Sequence, residues 1–550
     1  MNTSPGFKTT GFYLHTHWAF NYPFAVRTWT RQDFKGMFSF LRALDFDRVM
    51  IWPITEALPP PLSDEDASYL DDRRTIVADA QSAGLECWVT FAPNISTRPE
   101  IRQLPVSQRH FNLHARTYHL DQPVEQRAYF THLRDILGRL NNADGYVFID
   151  GDPGSYAGAR PEEYMDLLRQ VRGILNQVGA GRAKVIPWLW SGWGADWIGH
   201  APWTQDFRPL TEAVLRQLKT EPPDGCFLSA DGCFLSAEPW ELLPGRSFVE
   251  GWANGRINLR LVEQAGLVSR STFMAYEIIE FEPVPPAVTL QFDAIRRVLR
   301  QELRHAGQVH GIFGNAQQPI MPLPNLYLFA RGAKDPVYLD LSDEQVLADF
   351  ANLLGGPVEL LLPAWRCLEA DITSIPVDLP RRLHDAHLTG SIAACLPGGP
   401  DRYLHILAEH LEARRVVLDA CAQLPNYSIA ADETSASERL ARAILALERW
   451  WQVHGFVGGG EARTCGCGRM SSSASSTFTW AYTHPRLLQP LTNWVQQHIT
   501  EGRIVQPRLA GLLADSGRFT LDEAEHLIAP LLRGEIHPVL PGSQPHNDFV

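Results

Sequence analysis

The sequence is poor in cysteine, has no long apolar run and lacks an excess of positive charge. Eight cysteines in 550 residues are too few for a disulfide scaffold, and Cys87, Cys226 and Cys233 lie in apolar runs that read as small buried hydrophobes. Cys465-Gly466-Cys467 is the one close pair; with His454 the only further ligand nearby, it reads as an ordinary loop, and no metal and no cofactor are expected. No apolar run reaches the roughly 20 residues that span a bilayer. The polar segment Met1–Thr10 carries no visible secretion signal, so the expected location is the cytoplasm, or outside the cell with a signal removed. A formal net charge of −13 argues against nucleic acid and anionic membranes as partners, because both require a basic face. A homodimer stays open.

What the chain does have is a regular alternation of apolar runs and amphipathic stretches. The runs are Gly11–Trp18, Arg48–Pro53, Glu86–Asn94, Gly145–Asp152, Lys184–Trp190, Cys233–Trp240, Thr272–Glu277 and Gly311–Asn315. Helical stretches at 31–44, 71–83, 124–140, 162–178, 210–218, 256–266 and 288–305 lie between them. This is the α/β pattern of a (β/α)8 TIM barrel. A doubly wound open sheet would gather polar residues at one switch point; here nearly every run ends in Trp, His, Asp, Glu or Asn. The barrel is expected over residues 1–335. A C-terminal, mainly α-helical domain is expected over 336–550, with helices at 343–354, 402–424, 435–453, 484–501 and 521–532. Asp224–Ala230 is copied at once as Asp231–Ala237, too short for a solenoid repeat, and reads as a longer loop before the sixth strand.

Strand ends in a barrel converge on one mouth, so the polar residues there are the site candidates. Asp150 and Asp152 end the fourth run, and the i, i+2 spacing lets them share a strand face. Two close carboxylates move each other's pKa, leaving one ionised and one able to carry a proton, as glycosidic cleavage requires. The alternative is that Asp-Gly-Asp-Pro-Gly is merely a turn. Glu277 and Glu238 follow later runs and read as a further catalytic carboxylate and a sugar-binding one, or as capping groups. His15, His17 and Trp18 end the first run; without an acidic cluster beside them they read as sugar-hydroxyl ligands rather than a metal pair. Asn94, Asn315, Gln317 and Asn325 are candidate neutral partners, and Tyr276 stands beside Glu277. The chain has 16 tryptophans, and five of them (Trp52, Trp188, Trp190, Trp193 and Trp240) sit where sugar faces would stack. The expected ligand is therefore an oligosaccharide or glycoconjugate.

Over roughly Gly11 to Ala330 these strand-end signals resemble the barrel glycosidases related to family 20 β-N-acetylhexosaminidases and family 123 β-N-acetylgalactosaminidases. Those enzymes carry adjacent Asp-Glu after the fourth strand, one carboxylate orienting the substrate acetamido group and the other serving as the acid. Here Pro153 follows Asp152, and the Asp-x-Asp spacing is closer to the Asp-x-Glu of family 18 chitinases. Carried over on that spacing, the resemblance implies Asp150 as the orienting group and Asp152 as the acid; Glu277 is expected to assist from its own strand end. It implies exo-hydrolysis of a terminal GalNAc or GlcNAc. A second resemblance is to inverting sialidases of family 156, whose substrate carboxylate needs an arginine; Arg331 is the nearest candidate. The third reading is a non-catalytic carbohydrate-binding barrel.

Overall fold

The computed structural model describes residues 5–16, 22–109, 114–149, 161–189, 208–220, 227–229, 262–275, 278–279, 290–316, 318–369, 372–422 and 506–517, with a few isolated positions besides. The first helices start where side chains supply the missing hydrogen bonds. Thr30 and Asp33 form a capping box at α1 (Arg31–Ala43). Ser63 and Asp66 do the same at α2 (Asp64–Ser82), which begins seven residues earlier than the apolar pattern alone suggests. Pro123 opens α3 (Pro123–Arg139), where its absent N–H costs nothing. α4 (Pro161–Gln177) and α5 (Arg208–Thr220) follow the same rhythm.

Eight parallel strands close into a barrel. In chain order they are β1 (Thr10–Leu14), β2 (Arg48–Ile51), β3 (Glu86–Phe91), β6 (Gly145–Ile149), β7 (Lys184–Leu189), β8 (Phe227–Ser229), β9 (Ser271–Ala275) and β10 (Gly311–Ala316). Closure is made by β1 against β10, with Tyr13 opposite Asn315. An antiparallel hairpin, β4 (Ile95–Thr97) with β5 (Ala115–Thr117), is inserted between β3 and α3; nothing in the apolar periodicity announced it. The expected α/β barrel is thus present, with one correction. The sixth strand is formed by the first copy of the duplicated segment, at Phe227–Ser229, not by Cys233–Trp240. The two copies are identical in sequence, so local propensity cannot choose between them.

Alternation along the strands separates two cores. Phe12, Leu14, Val49, Ile51, Cys87, Val89, Tyr146 and Phe148 face the helices. Tyr13, Met50, Trp88, Val147, Ile149, Ile186, Trp188, Met274 and Phe313 fill the interior. Trp88 packs on Phe313 at 5.0 Å between ring centroids, and the space for these rings is made by glycine. A side chain on Gly11 would enter the Phe313 ring, and one on Gly145 would come within 2.8 Å of both Trp88 and Ile186. At the N-terminal end, Glu86 accepts from Arg48 at 3.0 Å, from Trp88 Nε1 at 2.7 Å and from Lys184. This ionic plug seals the bottom of the barrel.

Beyond α6 (Phe292–Glu302) and α7 (Leu323–Lys334), helices at Asp343–Leu354, Val358–Arg366, Leu379–His384 and Pro400–Ala422 continue the chain. Tyr327 stacks on Phe350 at 4.8 Å and Phe350 on Trp365 at 5.3 Å. Trp365 Nε1 donates to the Tyr403 hydroxyl at 2.8 Å. These helices also reach back to α1: Gly398 N donates to Asp33 Oδ1 at 3.0 Å, and a side chain on Gly36 would strike the Cys395 carbonyl. The expected helices at 435–453 and 484–501, and the Cys465–Cys467 loop with His454, lie outside the described residues apart from isolated positions. Among the described residues no helix is long and apolar enough to cross a membrane.

Filling the interior this tightly makes a testable demand. Gly145→Val should overpack the Trp88–Ile186 layer and lower stability by about 1–3 kcal/mol, read as a lower midpoint in thermal or urea melts. A wild-type midpoint would show that the interior layer is loosely packed.

Candidate active site

The C-terminal ends of β1, β2, β3, β6, β7 and β10 bring the described candidates to one face. His15 follows β1, is 1% exposed and meets Asn315 of β10, with Asn315 Nδ2 3.3 Å from His15 Nε2. Strand pairing fixes this contact, since Tyr13 is registered with Asn315 and both chains point the next inward residue up the barrel. The Tyr13 ring lies 3.9 Å from His15 and edge-on to Trp188 at 5.5 Å. His15, Asn315, Tyr13 and Trp188 therefore form one contiguous patch.

Trp52 and Trp188 are each about 1% exposed. They belong to the packed floor beneath the mouth rather than to an open wall. Trp52 follows β2, and its Nε1 donates at 3.0 Å to Glu56 Oε2. Glu56 Oε1 accepts from Ala92 N at 2.6 Å. Glu56 is thus a buried carboxyl lashing the turn after β2 to the turn after β3, a residue that the strand-end reading missed. Its only signal in the sequence was a carboxylate four residues past Trp52, inside a Pro-containing turn. Burial pushes its carboxyl up to about 7, against the downward pull of the backbone N–H donors and of Trp52.

Asn94, in the turn after β3, has a left-handed backbone (φ 54°). Its Nδ2 donates to Tyr118 O at 3.2 Å, and its own carbonyl accepts from Tyr118 N at 2.8 Å. The inserted hairpin is held from both sides. Arg27 donates to Thr16 O at 2.8 Å and to Arg109 O at 2.7 Å. The fully buried Arg109 pairs with Asp66 and, at 3.1 Å, with Glu65.

Two of the residues that the sequence pattern marked as candidates are placed elsewhere. Asn325 accepts from Gln291 N at 2.9 Å and donates to Ile279 O at 2.9 Å, so its amide bridges backbone segments instead of facing a ligand. Arg331 pairs with Asp45 at 3.0 Å, in the turn before β2, and so lies toward the N-terminal end of the barrel, away from the mouth. Arg331 lies near the C-terminal end of α7, two turns into the helix that follows the last strand. Asp150, Asp152, Glu277, His17, Trp18, Trp190, Trp193, Glu238, Trp240, Tyr276 and Gln317 lie outside the described residues. In the chain, Asp150 directly follows Ile149, whose side chain belongs to the barrel interior.

Fold and strand-end patch together define a closed (β/α)8 barrel with an aromatic floor and polar groups at its C-terminal end. No protein-family model matches the chain, and no curated protein matches it. Solved structures similar to it include a GH138 enzyme targeting pectin rhamnogalacturonan II, at 10% identity and a TM-score of 0.45, covering 97% of this chain and 84% of that one. An O-GlcNAc hydrolase from Thermobaculum terrenum is similar at 10% identity and a TM-score of 0.36, covering 94% and 96%. A GH20 exo-β-N-acetylglucosaminidase from Vibrio harveyi is similar at 12% and 0.38, covering 65% and 59%. Likeness at this level adds nothing to the barrel already described.

Glu56 gives the site a measurable pH signature. A carboxyl whose native pKa lies above its unfolded value stabilises fully below the unfolded value, and that contribution disappears as pH rises through the native one. For Glu56 the window runs from 4.5 to about 7, and each pKa unit is worth about 1.4 kcal/mol. Wild type should therefore lose stability relative to Glu56→Gln on going from pH 4.5 to pH 8 in urea melts. Parallel pH profiles for the two proteins would contradict the buried, proton-binding carboxyl.

Proposed function

We propose that the chain is a glycoside hydrolase that removes a terminal N-acetylhexosamine, GalNAc or GlcNAc, from an oligosaccharide or glycoconjugate. The observation that carries this reading is the His15–Asn315 contact at the barrel mouth, over a floor of Tyr13 and Trp188. An imidazole and an amide suit sugar hydroxyls, and aromatic rings suit apolar sugar faces. The Asp150-Gly151-Asp152 segment, continuing directly from the fourth barrel strand, supplies the carboxylates.

In this mechanism the substrate acetamido oxygen attacks the anomeric carbon. The bond to the leaving oxygen breaks as Asp152 passes its proton to that oxygen. Asp150 orients the acetamido group and stabilises the positive charge of the cyclic intermediate. Asp152, now ionised, then takes a proton from the water that opens the ring, returning the sugar with retained configuration; Glu277 assists by holding the sugar. The mechanism requires one carboxyl of the pair to carry a proton, as repulsion between two close carboxylates allows. The sialidase reading loses its named arginine, because Arg331 is engaged at the other end of the barrel.

A panel of p-nitrophenyl glycosides, with and without EDTA, tests the proposal: N-acetylhexosaminides should be cleaved, with and without the chelator. Turnover of sialosides alone would overturn the substrate, loss of turnover in EDTA would overturn the metal-free chemistry, and no turnover at all would leave a binding barrel. General acid catalysis contributes about 10²–10⁴-fold. Asp152→Asn should therefore lower kcat at least about a hundredfold on a poor leaving group and less on nitrophenolate. Asp150→Asn should impair both alike, and a thiazoline mimic of the cyclic intermediate should inhibit. Near-normal activity of Asp152→Asn on a natural glycoside, with loss in Glu238→Gln or Glu277→Gln, would move the acid to a later strand.

A further inference from the structure

The chain carries 49 lysines and arginines against 62 carboxylates, so an arginine has acidic partners in surplus. The segment inserted between β3 and α3 runs against that balance. From Ile95 to His119 it holds four arginines, Arg98, Arg102, Arg109 and Arg116, and one carboxylate, Glu100. Arg102 and Arg109 turn onto Asp66. Arg98 and Arg116 are exposed, and among the described residues neither pairs with a carboxylate.

Hairpin register puts these two on one face. Ser96 is paired with Arg116, and Arg98 N donates to His114 O at 2.8 Å, which sets Arg98 opposite His114. Paired residues of an antiparallel ladder point to one side, and so do residues two apart on a strand. Arg98 and Arg116 are therefore diagonal neighbours, roughly 7–8 Å apart, a span that two guanidinium side chains can close on a single anion. Like charges at that spacing repel, a cost that a bound anion removes. Arg116 is also held in place: its guanidinium lies 4.5 Å from the centroid of the Tyr118 ring. That ring is fully buried, packs on Tyr129 at 5.5 Å and accepts at its hydroxyl from Ser96 Oγ at 3.2 Å. A guanidinium stacked on a fixed ring keeps its N–H edge free to fork onto carboxylate or sulfate oxygens.

The insertion stands at the C-terminal end of the barrel. It leaves β3 at that end, β4 packs on the Thr55–Ala57 turn after β2, and Arg27 joins the Arg109 carbonyl to the Thr16 carbonyl after β1. We propose that Arg98 and Arg116 form an anion-binding subsite on this hairpin, which takes a carboxylate or sulfate carried by the glycan beyond its terminal N-acetylhexosamine. The class of the occupant rests on the glycosidase reading. The cleaved sugar itself stays uncharged, and the hairpin selects glycans by the charge that follows it.

The test uses the full-length chain and calorimetric binding of a tetrasaccharide in which N-acetylhexosamine alternates with glucuronic acid, its terminal linkage made through sulfur so that it is not cleaved. The uncharged methyl ester is the control. A second arm carries a sulfate ester in place of the carboxylate, with the unsulfated glycan as its control. At low salt each charged probe should bind about tenfold more tightly than its neutral counterpart, and about 500 mM NaCl should remove most of that preference. The arm with the larger preference names the anion. Arg98→Gln and Arg116→Gln should each reduce the preference about threefold, and the double variant should abolish it, with binding of the neutral probes within about twofold of wild type. Arg381→Gln, the same charge change on an exposed helix far along the chain, should leave the preference intact. If Arg116→Gln fails to fold by circular dichroism, Arg98→Gln gives the reading alone. Equal Kd for charged and neutral probes, a preference that survives loss of the arginines, or one that Arg381→Gln reduces equally would overturn the proposal. A charge preference lost in the hairpin variants, without turnover of any p-nitrophenyl glycoside, would keep the anion subsite and reject the hydrolase. Turnover of N-acetylhexosaminides with no charge preference would do the reverse.

Discussion

The constraint on which everything else rests is that a closed parallel barrel must fill its own interior. Eight strands leave no edge to pair elsewhere, and the enclosed volume has to be occupied by inward side chains. This chain fills it with large rings, Trp88, Phe313, Tyr13 and Trp188, and makes room by placing glycine on neighbouring strands at Gly11 and Gly145. Ring and glycine are therefore one packing decision taken at two distant points in the sequence.

From that filling follows an asymmetry between the two ends. At the bottom, Arg48, Lys184 and Trp88 converge on Glu86, and charges satisfy one another. At the top stand His15 with Asn315, Glu56 with two N–H donors, and Arg27 on the Thr16 carbonyl. Among the described residues of the barrel interior, the cluster in which two cations meet one carboxylate lies at the closed end, while Glu56 at the other end is held by N–H donors.

The barrel was largely legible in the sequence because its signal is a repeated local pattern, and seven of the eight strands lie on the apolar runs that announce them to within one residue. The exception, the duplicated Asp224–Ala230 segment, fails for a clear reason: two identical sequences have identical propensities, so the local pattern cannot single out one of them. The hairpin at β4 and β5 was invisible because its strands are three residues each and held by the long-range Arg109–Asp66 pair. At the site, inward alternation correctly marked His15, Trp52, Asn94, Trp188 and Asn315 as strand-end residues. It could not reveal Glu56, whose meaning lies in an amide thirty-six residues away, nor that Asn325 is bound to backbone and Arg331 to Asp45.

The contact between Gly398 and Asp33 spans 365 residues, and β1 closes the sheet on β10 some 300 positions downstream. On a ribosome adding about 5–20 residues per second, the first β/α unit therefore waits roughly 20–70 s before the segment that covers its helix has been made. During that interval α1 presents to the cell an apolar face meant for a late-arriving neighbour, and β1 an unpaired flank. The first β/α unit is thus completed only by the last-made strand of the barrel and by the helices that follow it.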